Sequence, residues 1–277
     1  DFTYYEIHPD KDLKGKVDAV YTAEIHAQLT NWVNTLVANS KDSDKLGTKK
    51  VYIDSTTGYD LAQMIQKTLS GSVIYAQLVN VYLLDIVDRD NITLLDGTNY
   101  TDMEHRFDEA WGYFGGARNM ADFTDNELSS KENGLPYKDN FVADGAIDWQ
   151  SEYNFGFAVN AGKRDLGSTT GTNFSKTIFD AFLAGRTAIV NKDIPTLATQ
   201  RQIIINNIEK VLAATAIHYI NEVHSNLNDI AADPTTSPAD FYKHWSEMFK
   251  FTEMLRYNRS TPVTQLQTIL TTLMVTN

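Results

Sequence analysis

Four side chains that could bind a cation or move a proton stand together in MEHRFDEAWGYFG, residues 103–115: Glu104, His105, Asp108 and Glu109. In a helix, with about 100° between successive residues, Glu104 lies one turn from Asp108 and His105 one turn from Glu109. The aromatic residues form a separate stripe that is typical of a core-facing surface. Because mixed imidazole and carboxylate ligands suit iron or zinc, we predict a metal site here. The alternative is a helix with solvated acids beside a core stripe.

A second acid–imidazole pair lies in KHWSEMFKFTEMLRY, residues 243–257. His244 and Glu247 fall on the apolar side of the predicted helix, where a carboxylate needs a partner. Their i,i+3 spacing can supply two metal ligands from one helix, so we add both residues to the predicted metal site. Alignment of the two histidines places Asp108 opposite Glu247, which indicates a duplicated helix hairpin. Arg186 is either a counter-ion to one of these acids or an ordinary surface arginine.

A possible calcium loop lies at residues 140–152, NFVADGAIDWQSE. Asn140, Asp144, Asp148 and Glu152 supply oxygen atoms in a partial match to an EF-hand loop, although several of the usual ligand positions lack an oxygen. The alternative is a turn in which the glycine after Asp144 takes a positive φ and the aspartate caps the turn.

The elements that must position these residues are predicted to be helices, because apolar residues recur at three- and four-residue spacing. Two polar, Gly-rich intervals, 124–149 and 162–173, show no strand alternation. We predict an all-α fold of helical bundles: a first half at 1–123, a loop-rich connection at 124–173 and a second half at 174–277, with the two related halves packed together as one compact domain. The predicted helices span 16–38, 59–88 with a bend or break at Gly71, 174–190, 196–228, 238–257 and 262–275.

The composition excludes several classes of protein. The chain has 277 residues and a formal net charge of -12, which opposes binding to nucleic acid or to an anionic membrane surface. It has no cysteine, so disulfides, thiolate metal sites and cysteine nucleophiles are excluded. No apolar run reaches the roughly 18–20 residues of a membrane span. Because the sequence begins at Asp1 without a methionine, we expect that an upstream segment was removed, as in an exported protein.

Enzyme signatures are missing from the sequence. It contains no H-E-x-x-H, G-x-S-x-G or Walker A motif, and its glycine clusters lack the strand and helix that a phosphate loop requires. We therefore predict that the protein is not an enzyme.

Four blocks carry a family resemblance: MEHRFDEAWGYFG, GYDLAQMIQKTLSG (58–71), SEYNFGFAVNAGKRD (151–165) and FDAFLAGRTAIVNKD (179–193). They resemble a bacterial family known only as domain of unknown function 4856, a relative of the imelysin-like proteins. The resemblance implies two related helical bundles, export with a lipid anchor on the removed N-terminal segment, and a link to iron uptake. HWSE (244–247) keeps the H-x-x-E of the imelysin-like signature but has Tyr242 at its glycine position. HRFD (105–108) has Met103 at that position and aspartate for glutamate.

Together these observations predict an exported binding protein, periplasmic or at the cell surface, that captures a metal ion. Iron or an iron complex is the expected cargo, calcium could occupy the 140–152 loop, and an outer-membrane uptake receptor is the expected partner. The alternative is a non-catalytic structural or protein-interaction module of the cell envelope without a metal. A metallopeptidase is a minor alternative.

Overall fold

A computed structural model describes residues 13–131 and 134–259 of the chain. The structure is 64% helical, and the described residues contain no strand or sheet, which confirms the predicted all-α class. Three isolated β-bridges tie loops together, one of them between Tyr137 and Tyr153.

Eight α-helices are described. They are α1 (Thr22–Asn39), α2 (Leu61–Leu69), α3 (Asp102–Phe114), α4 (Asp125–Ser129), α5 (Gly156–Asp165), α6 (Phe174–Val190), α7 (Ile194–Ala232) and α8 (Ala239–Met254). Short 3-10 turns lie at Leu13–Lys16, Lys49–Tyr52, Ile86–Asp88, Met120–Asp122 and Leu255–Tyr257. The predicted helix at 262–275 lies outside the described residues.

The helix predicted for 59–88 does not break at Gly71 but changes to the wider π-helical geometry. After α2 it continues in π-helical geometry over Ser70–Tyr75 and Gln77–Leu83. A Cβ on Gly71 would lie 2.6 Å from Met254 Cγ, so the glycine allows the end of α8 to approach closely. Among the described residues, Leu61–Asp88 is long and apolar enough to cross a membrane by length and composition, and 61% of its most apolar window is buried inside the protein.

The chain divides into two compact units. Among the described residues, the unit that we call the terminal unit comprises 13–77 and 216–257, and the central unit comprises 78–215 and 258–259. Each unit therefore takes residues from both of the halves that the sequence suggested, 1–123 and 174–277.

In the terminal unit, α1, α2 and α8 enclose an apolar core. Trp32, Leu61 and Met64 are buried at its centre, and Phe249 of α8 packs against them. Asp60 caps α2 by accepting hydrogen bonds from the backbone N–H groups of the next turn.

In the central unit, α3 and α6 pack side by side. A Cβ on Gly185 of α6 would lie 2.6 Å from Phe107 Cζ, so the glycine lets the two helices meet around this ring. Gly115 ends α3 at φ 86°, in the left-handed region, and its carbonyl accepts a hydrogen bond from Phe155 N at 2.8 Å. This bond ties the end of α3 to the loop before α5.

Candidate functional site

The start of α3 uses one of the predicted ligands as a cap. Thr101 Oγ1 accepts a hydrogen bond from Glu104 N, and Glu104 Oε2 accepts one from Thr101 N at 2.9 Å. This capping box satisfies N–H groups that otherwise lack partners at the start of a helix. The bond from Thr101 N, with the Arg186 guanidinium beside it, holds the pKa of Glu104 below its usual value.

Arg186 of α6 joins the two acids that α3 presents one turn apart. Its Nε donates to Asp108 Oδ1 at 2.9 Å, and its Nη1 donates to Glu104 Oε1 at 3.0 Å. The positive charge of the guanidinium offsets the repulsion between the two neighbouring carboxylates, because one cation pairs with both. We call Arg186, Glu104 and Asp108 the arginine bridge.

The other predicted pair on α3 lies on a different face. His105 Nε2 is 3.5 Å from Glu109 Oε2, and the imidazole stacks on Tyr100 with ring centroids 5.2 Å apart. Tyr82 stacks on Tyr113 near the same carboxylate. Burial, followed by the Glu109 charge, raises the pKa of Tyr82, so its phenol stays protonated at neutral pH.

A cleft of about 750 Å³ opens beside the arginine bridge, entirely within the central unit. Its walls carry eight aromatic residues: Phe107 and Trp111 from α3, Phe179 and Phe182 from α6, and Phe141, Trp149, Tyr153 and Phe155 from the segment before α5. Asp108, Arg186 and Arg118 supply its charged groups. The aromatic stripe of α3, which the sequence assigned to the core, is therefore both core and cleft wall: Phe107 is buried, whereas Trp111 is half-buried.

Gly112 forms part of the cleft wall in the middle of α3. A Cβ at this position would have no neighbouring atom within 4 Å, unlike a Cβ at Gly185. Glycine within a helix costs about 0.5–1 kcal/mol relative to alanine. Packing does not explain Gly112, which is exposed and has open space beside its Cα.

The predicted calcium loop forms another part of the wall. Glu152 is fully buried and accepts hydrogen bonds from the N–H groups of Phe141, Val142 and Asp148 at 2.8, 2.8 and 3.0 Å. These bonds, with that from Asp148 the largest influence, lower the pKa of Glu152. The carboxylate thus organises the loop through backbone amides.

The remaining acids of this loop also bond within it. Asp144 Oδ1 accepts from Ala146 N at 3.0 Å, and Asp148 accepts from Ser151 Oγ at 2.6 Å. Asn140 bonds to Asn119, and Gly145 has a φ of 90°. The positive φ of Gly145 and the bond to Asp144 are the features of the predicted turn, and calcium in this loop stays a prediction.

The residues predicted from 243–257 lie in the terminal unit. His244 Nδ1 is 2.8 Å from Asn226 Oδ1, and Glu247 Oε1 accepts a hydrogen bond from the Tyr219 hydroxyl at 2.9 Å. Lys67 Nζ lies 3.5 Å from the same carboxylate oxygen. Nowhere in residues 13–131 and 134–259 do three His, Asp or Glu side chains form a group that could hold a metal ion.

The fold and the site define an all-helical protein with a cleft large enough for a small ligand. The chain belongs to the family described as Domain of unknown function (DUF4856), which matches residues 3–273. No match was found among curated proteins or among solved structures.

Sequence reasoning identified Arg186 but missed the other cleft residues outside α3 and the open position at Gly112. One local signal was present: Thr101-x-x-Glu104 is a capping-box pattern, which assigns Glu104 to the helix start. No comparable signal links Arg118 or Trp149 to α3, because folding alone brings these segments together.

Proposed function

We propose that this protein is a non-enzymatic binding protein that holds a small molecule with an aromatic body in the cleft of the central unit. Ligand sites typically enclose about 300–1,000 Å³ and combine apolar walls with a few polar groups. The cleft has this size and this composition. Trp149, which is 68% exposed, and Phe141 present ring surface that a flat ligand could cover.

The open position at Gly112 is the observation that carries this proposal. Gly112 is exposed on the cleft wall, and alanine there would improve the helix without meeting another atom. An unfilled helix position on an aromatic wall is expected if the space is used by a ligand.

The test is to plug the cleft without disturbing the packing. We expect Gly112→Trp to keep the melting temperature of the wild type and to weaken binding of the neutral probe N-phenyl-1-naphthylamine at least about tenfold, a change of about 1.4 kcal/mol. Gly112→Ala is the matched control, because its methyl group adds little volume, and its affinity should stay within about twofold of wild type. Fluorescence titration measures both.

Equal affinity in all three proteins would place the probe elsewhere and contradict the proposal. No binding to the wild type, by this probe or by a panel of neutral aromatic compounds, would favour the alternative of a structural module.

The sequence predicts capture of iron, and within this proposal the cleft binds iron as a complex. The arginine bridge occupies Glu104 and Asp108, so a bare ion would compete with Arg186 for their oxygens. An aromatic chelator around the metal would instead match the ring-lined cleft. Export to the periplasm or cell surface, a lipid anchor and an uptake receptor stay predictions within the same proposal.

A bare metal ion at His105 and Glu109 is the second candidate, because His105 Nε2 and Glu109 Oε2 lie 3.5 Å apart and both side chains are partly exposed. Elemental analysis of the purified protein, followed by iron titration of wild type, His105→Ala and Glu247→Ala, tests this candidate. We expect weaker binding in His105→Ala only; identical curves would rule this site out. Loss in Glu247→Ala instead would assign the ion to the H-x-x-E residues of the terminal unit.

A further inference from the structure

Arg118 is an exposed cation on the cleft wall. Within residues 13–131 and 134–259, no carboxylate lies within salt-bridge distance of its guanidinium, which packs over the Phe141 ring at 5.6 Å from the centroid. The second guanidinium of the cleft, that of Arg186, is already paired with two acids. Arg118 therefore offers free hydrogen-bond donors beside an aromatic surface.

The backbone around Arg118 is held in place. Its N–H donates to Ser151 O at 2.8 Å, and the preceding Ala117 N donates to Asn154 Oδ1 at 2.8 Å. Asn154 is fully buried and also donates to Pro136 O. A side chain that starts from a fixed backbone loses less freedom when it binds a ligand.

The acids near Arg118 are held by other groups. Asp148 feels the charge of Arg118, but its carboxylate accepts from Ser151 Oγ and from Gln150 N at 2.9 Å. Asp108, also on the cleft wall, is paired with Arg186. An incoming anion would meet a free guanidinium at Arg118 and a compensated acid at Asp108.

We infer that the ligand carries a carboxylate or a similar planar anionic group on its aromatic body, and that Arg118 binds this group while the cleft aromatics hold the body. This inference rests on the proposed function. Arginine suits the role because its planar fork pairs with a carboxylate through two parallel hydrogen bonds and stacks on rings at the same time. Lysine offers a point charge without the fork.

Equilibrium dialysis with two probes of the same shape tests the inference: 2-naphthoate, which is anionic, and 2-naphthamide, which is neutral. We expect wild type to prefer the naphthoate about ten- to a hundredfold, the range for a charge-assisted hydrogen bond. Arg118→Gln should abolish this preference and leave naphthamide affinity within about twofold. Arg118→Lys should retain part of it. Lys131→Gln is the control, because Lys131 is an exposed cation of the same unit outside the cleft.

The outcomes separate the two proposals. Equal affinity for both probes in wild type, or a preference that survives Arg118→Gln, would overturn the anion inference while the cleft stayed a ligand site. Binding of neither naphthalene probe, nor of N-phenyl-1-naphthylamine, would contradict the proposed function itself. If Lys131→Gln removed the preference for naphthoate as fully as Arg118→Gln does, the preference would come from the net charge of the protein. That result would overturn the role of Arg118.

Discussion

Charged and aromatic side chains meet in both units, but with different exposure. In the terminal unit, Lys250 is 2% exposed, donates to Glu253 and lies over the Trp32 ring at 4.8 Å from the centroid. Arg256 adds a second contact to Glu253 at 3.3 Å and one to Glu24 at 2.9 Å. In the central unit, the Arg186 side chain keeps 32% of its surface exposed at the edge of the cleft.

The difference separates a structural cluster from a candidate binding site. A buried ion pair is closed to ligands, and its members depend on one another because a charge left alone in a core is costly. Burial lowers the pKa of Lys250, whereas Glu253 acts in the opposite direction and favours the charged lysine. The arginine bridge is reachable from solvent, so its groups can respond to a ligand at modest cost.

The largest expected effect is in the buried cluster. Glu253→Gln should lower the free energy of unfolding by about 3–5 kcal/mol, because Lys250 and Arg256 lose their shared buried counter-charge. Chemical denaturation measures this change. Asp180→Asn is the matched control, since its exposed pair with Lys176 should contribute about 0.5 kcal/mol or less. If both variants lost the same unfolding free energy, the buried cluster would be no more important for stability than an exposed ion pair.

A smaller effect is expected at the arginine bridge. Arg186→Gln should cost about 1 kcal/mol, because the pairs are partly solvated. The cost should shrink in 1 M salt, which shortens the screening length to about 3 Å. Arg186→Lys should fall between wild type and Arg186→Gln, since lysine cannot present the same fork. A salt-independent cost as large as that of Glu253→Gln would show that the bridge behaves as a buried network.

Gly112→Ala should change stability in the opposite direction. Alanine favours the helix by about 0.5–1 kcal/mol, and its Cβ meets no atom within 4 Å. Thermal unfolding should show a higher midpoint. Gly185→Ala provides the contrast, because its Cβ would lie 2.6 Å from Phe107 and should lower the midpoint. A loss of stability in Gly112→Ala would mean that the position is packed.

The smallest expected effect at neutral pH is that of the loop acids. The folded pKa of Glu152 is lowered, so its bonds stabilise the loop above the unfolded pKa and are lost as the pH falls through the folded pKa. We expect the loop to loosen only below about pH 4. The fluorescence difference between wild type and Trp149→Phe follows this transition. A midpoint above pH 5 would contradict the assignment to Glu152, and Glu152→Gln should flatten the curve.

Much of the fold could be predicted because helices leave a local signal. The period of apolar residues identified the helices at 174–190 and 239–254 closely. It missed α5, where the predicted polar interval at 162–173 overlaps the last turn of a helix that begins at Gly156. Glycine at both Gly156 and Gly162 lowered the helical signal there, although packing against Leu128 requires the second glycine.

Less of the candidate site could be predicted because its walls come from distant parts of the chain. The spacing on α3 identified Glu104 and Asp108 as neighbours, and Arg186 was one possible counter-ion, but a sequence does not show that one cation pairs with both acids. The role of Glu152 was also hidden, since acids that bind calcium and acids that bind backbone amides look alike in a sequence. Predicting which residues meet across the cleft requires the fold.

The open position at Gly112 makes the protein suited to use as an optical sensor. The sequence contains no cysteine, so Gly112→Cys would introduce a single thiol. A Cβ there meets no neighbour, which leaves room for attachment of an environment-sensitive dye on the cleft wall. A ligand entering the cleft would displace water around the dye and change its emission. Such a labelled protein could screen complex mixtures for compounds that bind at the proposed site.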